Sequence, residues 1–148
     1  MPVPNWVLHP PKAPGKVYAV GAIGPSLYPE WGRRNAAEAA RLALSQALSV
    51  RVQSVLIDIE SSRGGHTVGN AGVVSVSSWA SDMVVAGSQI VDYWVDVVGQ
   101  VPGGEVGGNY ALAVVDLVAA PAVQAVPPPA GLTPAQADTI LGRAGEAP

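Results

Sequence analysis

The sequence predicts an α+β domain in the order β-α-α-β-β: a three-stranded antiparallel sheet with one long helix and a shorter helix on one face. Three observations carry this. Apolar residues recur at Ala37, Ala40, Leu44, Leu48, Val52, Val55 and Ile59, one face of a single helix. Two alternating, β-branched runs, 88–98 and 109–118, flank five glycines and one proline, as in an antiparallel hairpin. A third such run, 16–24, precedes the helix. The 148 residues suffice for one domain.

Five prolines in the first sixteen residues (Pro2, Pro4, Pro10, Pro11, Pro14) predict a Pro-rich, helix-free extended arm over 1–16. Its apolar centre, Trp6-Val7-Leu8, predicts that it lies on a domain. The strand over 16–24 contains Gly21, where a neighbour can approach closely. Residues 25–32 read as a loop carrying Tyr28 and Trp31. Asn35 with Glu38 reads as a capping box opening the long helix, which has no Gly or Pro until Gly64. Arg51 lies beside the apolar stripe and is expected to extend its head to water.

The next stretch has two periods. Val74, Val76 and Ser78 alternate as in a strand; Gly72, Val76, Trp79, Met83 and Ala86 recur as in a helix. The longer pattern predicts a helix over 73–86, closed by Gly87 at C′. In the strand over 88–98, Val91, Tyr93, Val95 and Val97 fall on one face, and Ile90, Asp92, Trp94 and Asp96 on the other. The single α+β domain thus covers 17–118. Residues 119–148 form a Pro/Ala-rich tail with a short helix over 134–141, where Thr133 is the N-cap and Pro134 is N1.

Composition narrows the function. Val and Ala, with 24 and 23 residues, dominate the apolar content, and Phe is absent. The core must therefore form by close approach of small side chains. Charged residues make up 13% and the net charge is -3. This argues against nucleic acid as a partner, which takes clustered Lys and Arg. It also leaves little self-repulsion to oppose association. The absence of Cys excludes disulfides, thiolate metal sites and Cys nucleophiles. Nothing approaches a membrane-spanning apolar run.

The sequence points to no enzyme, cofactor or metal site. His66 has Ser61, Ser62, Ser75, Ser77 and Ser78 near it in sequence, but no Gly-x-Ser-x-Gly elbow exists, so it reads as a loop histidine. Asp92, Asp96 and Asp116 read as solvated carboxylates on an outer sheet face and at strand ends. Residues 99–108 lack the Lys-Ser/Thr of a phosphate loop and read as a hairpin turn.

Five strings stand in order: Pro4-Asn5-Trp6-Val7; Tyr18-Ala19-Val20-Gly21; Ala39-Ala40-Arg41 with Leu44; Ile90-Val91-Asp92-Tyr93-Trp94-Val95-Asp96; and Tyr110-Ala111-Leu112-Ala113-Val114-Val115-Asp116. The series resembles the Lpp-twenty family of bacterial outer-membrane lipoproteins, to which flagellar basal-disk and ring lipoproteins of the P type are related. It covers roughly residues 4–118. The resemblance implies a small α+β domain held at the outer membrane by a lipid on an N-terminal Cys, and carries no catalytic motif. This chain has no Cys, so membrane attachment is expected only through an anchor absent from it.

The expected function is a non-enzymatic structural protein of the bacterial envelope, in the periplasm, at the outer membrane or on the cell surface. It is expected to assemble with itself into a ring or filament through Trp6, Trp31, Trp94 and Tyr110, with arm or tail crossing to a neighbouring copy. The alternative is a monomeric envelope module that binds peptidoglycan or a protein partner.

Overall fold

The computed structural model describes residues 2–62, 70–129 and 132–146. Helix α1 (Asn5–Leu8) is followed by β1 (Lys16–Ile23), α2 (Pro29–Ser62), α3 (Asn70–Gly87), β2 (Ser88–Asp96), β3 (Gly108–Asp116), α4 (Pro121–Gln124) and α5 (Pro134–Glu146). The fold is α+β: the three strands form one antiparallel sheet in the order β1-β3-β2, and α2 is the longest helix.

The apolar stripe of α2 is the centre of the core. Ala40, Leu44, Leu48 and Val52 are fully buried, and Ala37 and Val55 nearly so. Opposite them stand Val17 and Ala19 of β1 and Ala111, Ala113 and Val115 of β3. Trp79, Met83 and Ala80 of α3 complete this layer. The Trp79 indole N–H has no hydrogen-bond partner among the described residues.

Small residues set the spacing between layers. A Cβ on Gly21 would lie 2.1 Å from the Ala40 nitrogen and 2.5 Å from the Ala36 carbonyl oxygen. The α2 backbone therefore rests on the β1 backbone, which only glycine allows.

Several boundaries differ from the sequence expectation. Helix α2 begins at Pro29, so 29–32 is helix and the Asn35–Glu38 pair lies inside it. Pro29 sits in the first turn, where a missing N–H breaks no helical bond. The Tyr28 carbonyl accepts from the Gly32 amide at 3.1 Å and starts the helix. The arm is not wholly extended, because the proline-free stretch after Pro4 closes one helical turn, with the His9 amide donating to the Asn5 carbonyl. Helix α3 runs directly into β2, and Gly87 takes no left-handed φ as a C′ residue would. Its bare Cα instead makes room for Val123 of α4, whose Cγ2 lies 2.2 Å from where a Cβ would stand.

Strand β2 carries a bulge between Ile90 and Asp92. One extra residue reverses the alternation. Ile90 pairs with Ala113 and Tyr93 with Ala111, so both face the helices, whereas the unbroken alternation placed them on opposite faces. Arg51 does not end in water: its Nη1 donates to the Ala144 carbonyl of α5 at 3.3 Å.

The C-terminal stretch contributes to the core through Val123, Ala137, Ile140, Leu141 and Ala144. Thr133 caps α5 reciprocally with Gln136: the Gln136 amide donates to Thr133 Oγ1 at 3.2 Å, and the Thr133 amide to Gln136 Oε1 at 2.9 Å.

Candidate interaction surface

Alternation along the strands directs Tyr18, Val20 and Ala22 of β1, Tyr110 and Leu112 of β3, and Asp92 and Trp94 of β2 away from the helices. This outer face is partly covered by the chain's own arm. Trp6 Nε1 donates to Asp92 Oδ2 at 3.0 Å, and Asp92 Oδ1 accepts from the Tyr93 amide at 2.8 Å. One carboxylate thus ties the arm to the strand. Trp94 and Tyr110 stack across β2 and β3 with ring centroids 5.6 Å apart. Three of the four aromatics expected at an interface, Trp6, Trp94 and Tyr110, therefore share one face. Tyr110 is buried there, its hydroxyl oxygen 2.6 Å from where a Cβ on Gly104 would stand, and so supports the hairpin from below. Burial, and then the negative charge of Asp96, raise its pKa.

The expectation of a solvated Asp96 is overturned: its side chain is fully buried. Its carboxylate oxygens accept from the amides of Gln100 at 2.8 Å and Val101 at 2.9 Å. Burial pushes the carboxyl pKa up, but the amides of Gln100, Val101 and Gly99 together outweigh it and hold it below the ordinary aspartate value. Asp116 ends β3 in the same way. Its Oδ1 accepts from Ala119 at 2.8 Å and Val118 at 3.0 Å. The Ala119 amide outweighs the opposing burial, and Val118 and Lys16 add to it, so this carboxyl is also depressed.

Both groups bind protons less readily folded than unfolded. Their contribution to stability is therefore complete above the ordinary carboxylate range, about pH 4, and is lost as pH falls through the lower folded values. The Gln100 and Val101 amide resonances are expected to shift and exchange faster in acid than at neutrality. Asp96→Asn should flatten this dependence in an NMR titration; an unchanged profile would contradict the loop-holding role.

Two loops meet at one end of the sheet. Asn109 Nδ2 donates to the Gly24 carbonyl at 3.2 Å, and Pro25 Cβ lies 3.2 Å from where a Cβ on Gly107 would stand. The hairpin needs its glycines: Gly99, Gly103 and Gly107 all have φ near +80°. This end exposes Leu27 (92%), Tyr28, Trp31, Val97, Val98 and Val106. Tyr28 and Trp31 pack edge to face, 4.6 Å apart. Arg33, two residues past Trp31, lies over the Tyr93 ring at 5.8 Å. Beside it runs a groove of about 440 Å³ lined by Arg33, Tyr93, Trp94, Val95, Val97 and Gln100. Trp31 thus stands apart from the other three aromatics, on the helical side of the same end. The sequence reading missed this surface, although two loops rich in exposed Val, Leu and Tyr were its signal.

Among the described residues, no group of three or more His, Asp or Glu side chains could hold a metal ion. His66 lies outside the described residues. Ser77 bonds Ser49 across α2 and α3, with their hydroxyl oxygens 3.0 Å apart. No described helix is long and apolar enough to cross a membrane. No family model, curated protein or solved structure matches the chain.

Proposed function

We propose that this chain is a non-enzymatic structural module of the bacterial cell envelope that assembles with copies of itself into a ring or filament. The observation that carries the reading is the apolar end of the sheet. Leu27, Tyr28, Val97, Val98 and Val106, on two loops pinned together by Asn109 and Pro25, and Trp31, in the first turn of α2, are all exposed. Clustered aromatic and aliphatic side chains on a fixed support are what a protein interface offers. The charges nearest in sequence, Glu30, Arg33, Arg34, Asp96 and Glu105, sum to only -1, so little repulsion opposes a contact there. A contact of this end with a different surface of the next copy closes into a ring or grows as a filament. Envelope placement, in the periplasm or at the outer membrane, is supported by the resemblance over residues 4–118.

The groove beside Arg33 and Tyr93 favours a second reading, a monomeric module binding peptidoglycan or a protein partner, since its size suits a small ligand segment.

Trp31→Asp separates the two. Trp31 is 54% exposed, so its loss leaves the fold intact. Light scattering is expected to show assembly of the unaltered protein, with the variant needing about tenfold more protein to assemble. A monomeric unaltered protein overturns the assembly reading in favour of the binding module.

A further inference from the structure

The sheet order β1-β3-β2 leaves β1 and β2 as its two edges, and they are not alike. The β2 edge is guarded. A bulge interrupts it at Val91, the Asp92 carboxylate takes the Tyr93 amide, and the Val97 amide turns back to the Val95 carbonyl. Natural edges are blunted in this manner.

Beyond Lys16, whose amide turns back to the Ala13 carbonyl, the β1 edge has none of these devices. Its register with β3 is unbroken from Lys16 to Ile23. The Leu117 amide donates to the Gly15 carbonyl at 2.8 Å, which makes Gly15 a hydrogen-bonded position toward β3. By the alternation of an antiparallel ladder, Val17, Ala19, Gly21 and Ile23 also bond to β3, while Tyr18, Val20 and Ala22 turn their N–H and C=O groups outward. The Lys16 amide, of the outward set, bonds back to Ala13, in agreement with this phase. Among the described residues nothing accepts from or donates to the outward groups of Tyr18, Val20 and Ala22.

We propose that β1 pairs with β1 of a second copy across a two-fold axis at Val20, joining two sheets into one of six strands. The inference rests on the self-association reading and names one of its contacts. With the axis at Val20, Tyr18 faces Ala22 of the second copy and Val20 faces Val20. All three outward residues then sit at hydrogen-bonded positions, giving about six ladder bonds between copies. Val17 falls opposite Ile23, and Ala19 opposite Gly21, so every pair from 17 to 23 is free of charge.

The ends are complementary. Lys16 falls opposite Gly24 of the second copy. Glu105 lies beside that glycine, with Oε2 2.8 Å from where its Cβ would stand. Lys16 and Gly24 are on the same face as Val20, so the ammonium of one copy meets the carboxylate of the other at both ends. Helix α3 packs on one flank of α2 through Ser49, and α5 on the other through Arg51, with the Gly145 carbonyl accepting from the Gly15 amide just before β1. Above Arg51, the α5 flank carries Ala39, Ala43 and Ala47 at every fourth position, all half-buried.

The test uses the full chain, which has no native Cys to confuse a crosslink. Facing Cα atoms at the axis are about 5.5 Å apart, within disulfide range. Val20→Cys is expected to oxidise to a covalent dimer, whereas Tyr93→Cys on the guarded edge does not. Val20→Pro removes an outward N–H while leaving the bonds to β3, and is expected to raise the dimer dissociation constant about tenfold or more with unchanged circular dichroism. An unaltered protein that self-associates, with no Val20→Cys crosslink and no effect of Val20→Pro, overturns the edge pairing and leaves self-association standing. An unaltered protein that is strictly monomeric overturns both.

Discussion

Replacing Gly21 with alanine is expected to destabilise the fold by about 3 kcal/mol or more, at the upper end of what overpacking does. The new methyl would stand 2.1 Å from the Ala40 nitrogen, 2.5 Å from the Ala36 carbonyl oxygen and 2.6 Å from the Ala39 carbonyl carbon. All three are backbone atoms of one helix, so no side chain can turn aside. Relief requires α2 to lift from β1, which would loosen Val17, Ala19, Leu44 and Leu48 together. Thermal unfolding followed by circular dichroism should show the midpoint lowered by about 10 °C. Gly21→Val should leave no cooperative transition. An unchanged midpoint in Gly21→Ala would mean that α2 does not cross β1 at this residue.

The second large effect is expected at Leu48. Its side chain is fully buried between Leu44 and Val52 on the α2 stripe. Leu48→Ala removes buried methyl groups and leaves a cavity in a core made mostly of Ala and Val, whose short side chains reach poorly into such a space. The expected loss is about 2–4 kcal/mol in urea unfolding. A change below about 0.5 kcal/mol, the size of ordinary surface effects, would contradict the central position of the stripe.

The main elements were legible because their signals are local and strong. The spacing of Ala37, Ala40, Leu44, Leu48, Val52 and Val55 specifies one helix face, and each is buried. The alternating runs around five glycines specify the hairpin, which β2 and β3 form. Where the sequence misled, a distant residue decided the local structure. Pro29 and Gly32 look like helix breakers, yet one occupies the first helical turn and the other faces Asn109 across the loop. Gly87 resembles a helix cap, but its lack of a side chain serves Val123 of α4. The bulge at Ile90–Asp92 carries no composition signal and reverses the faces of β2 on either side of it. Asp96 looks solvent-facing by alternation; burial becomes favourable only because the loop folds its own amides onto the carboxylate.

The candidate surface was partly legible. Trp94 lies on the face away from the helices because its neighbour Tyr110 occupies the outward phase of β3. The exposed end carrying Leu27, Tyr28 and Val97 was not, because it forms only when two loops far apart in sequence meet at Asn109 and Pro25. The difference between the two sheet edges was also hidden. It depends on the Asp92 side chain reaching the Tyr93 amide, and on the strand order, which sequence does not determine.

The solution mass of the unaltered protein as a function of concentration tests self-association most directly. Sedimentation equilibrium is expected to give a mass well above the 15.0 kDa of one chain, rising with concentration. A mass that stays at 15.0 kDa up to the highest concentration reached would contradict it.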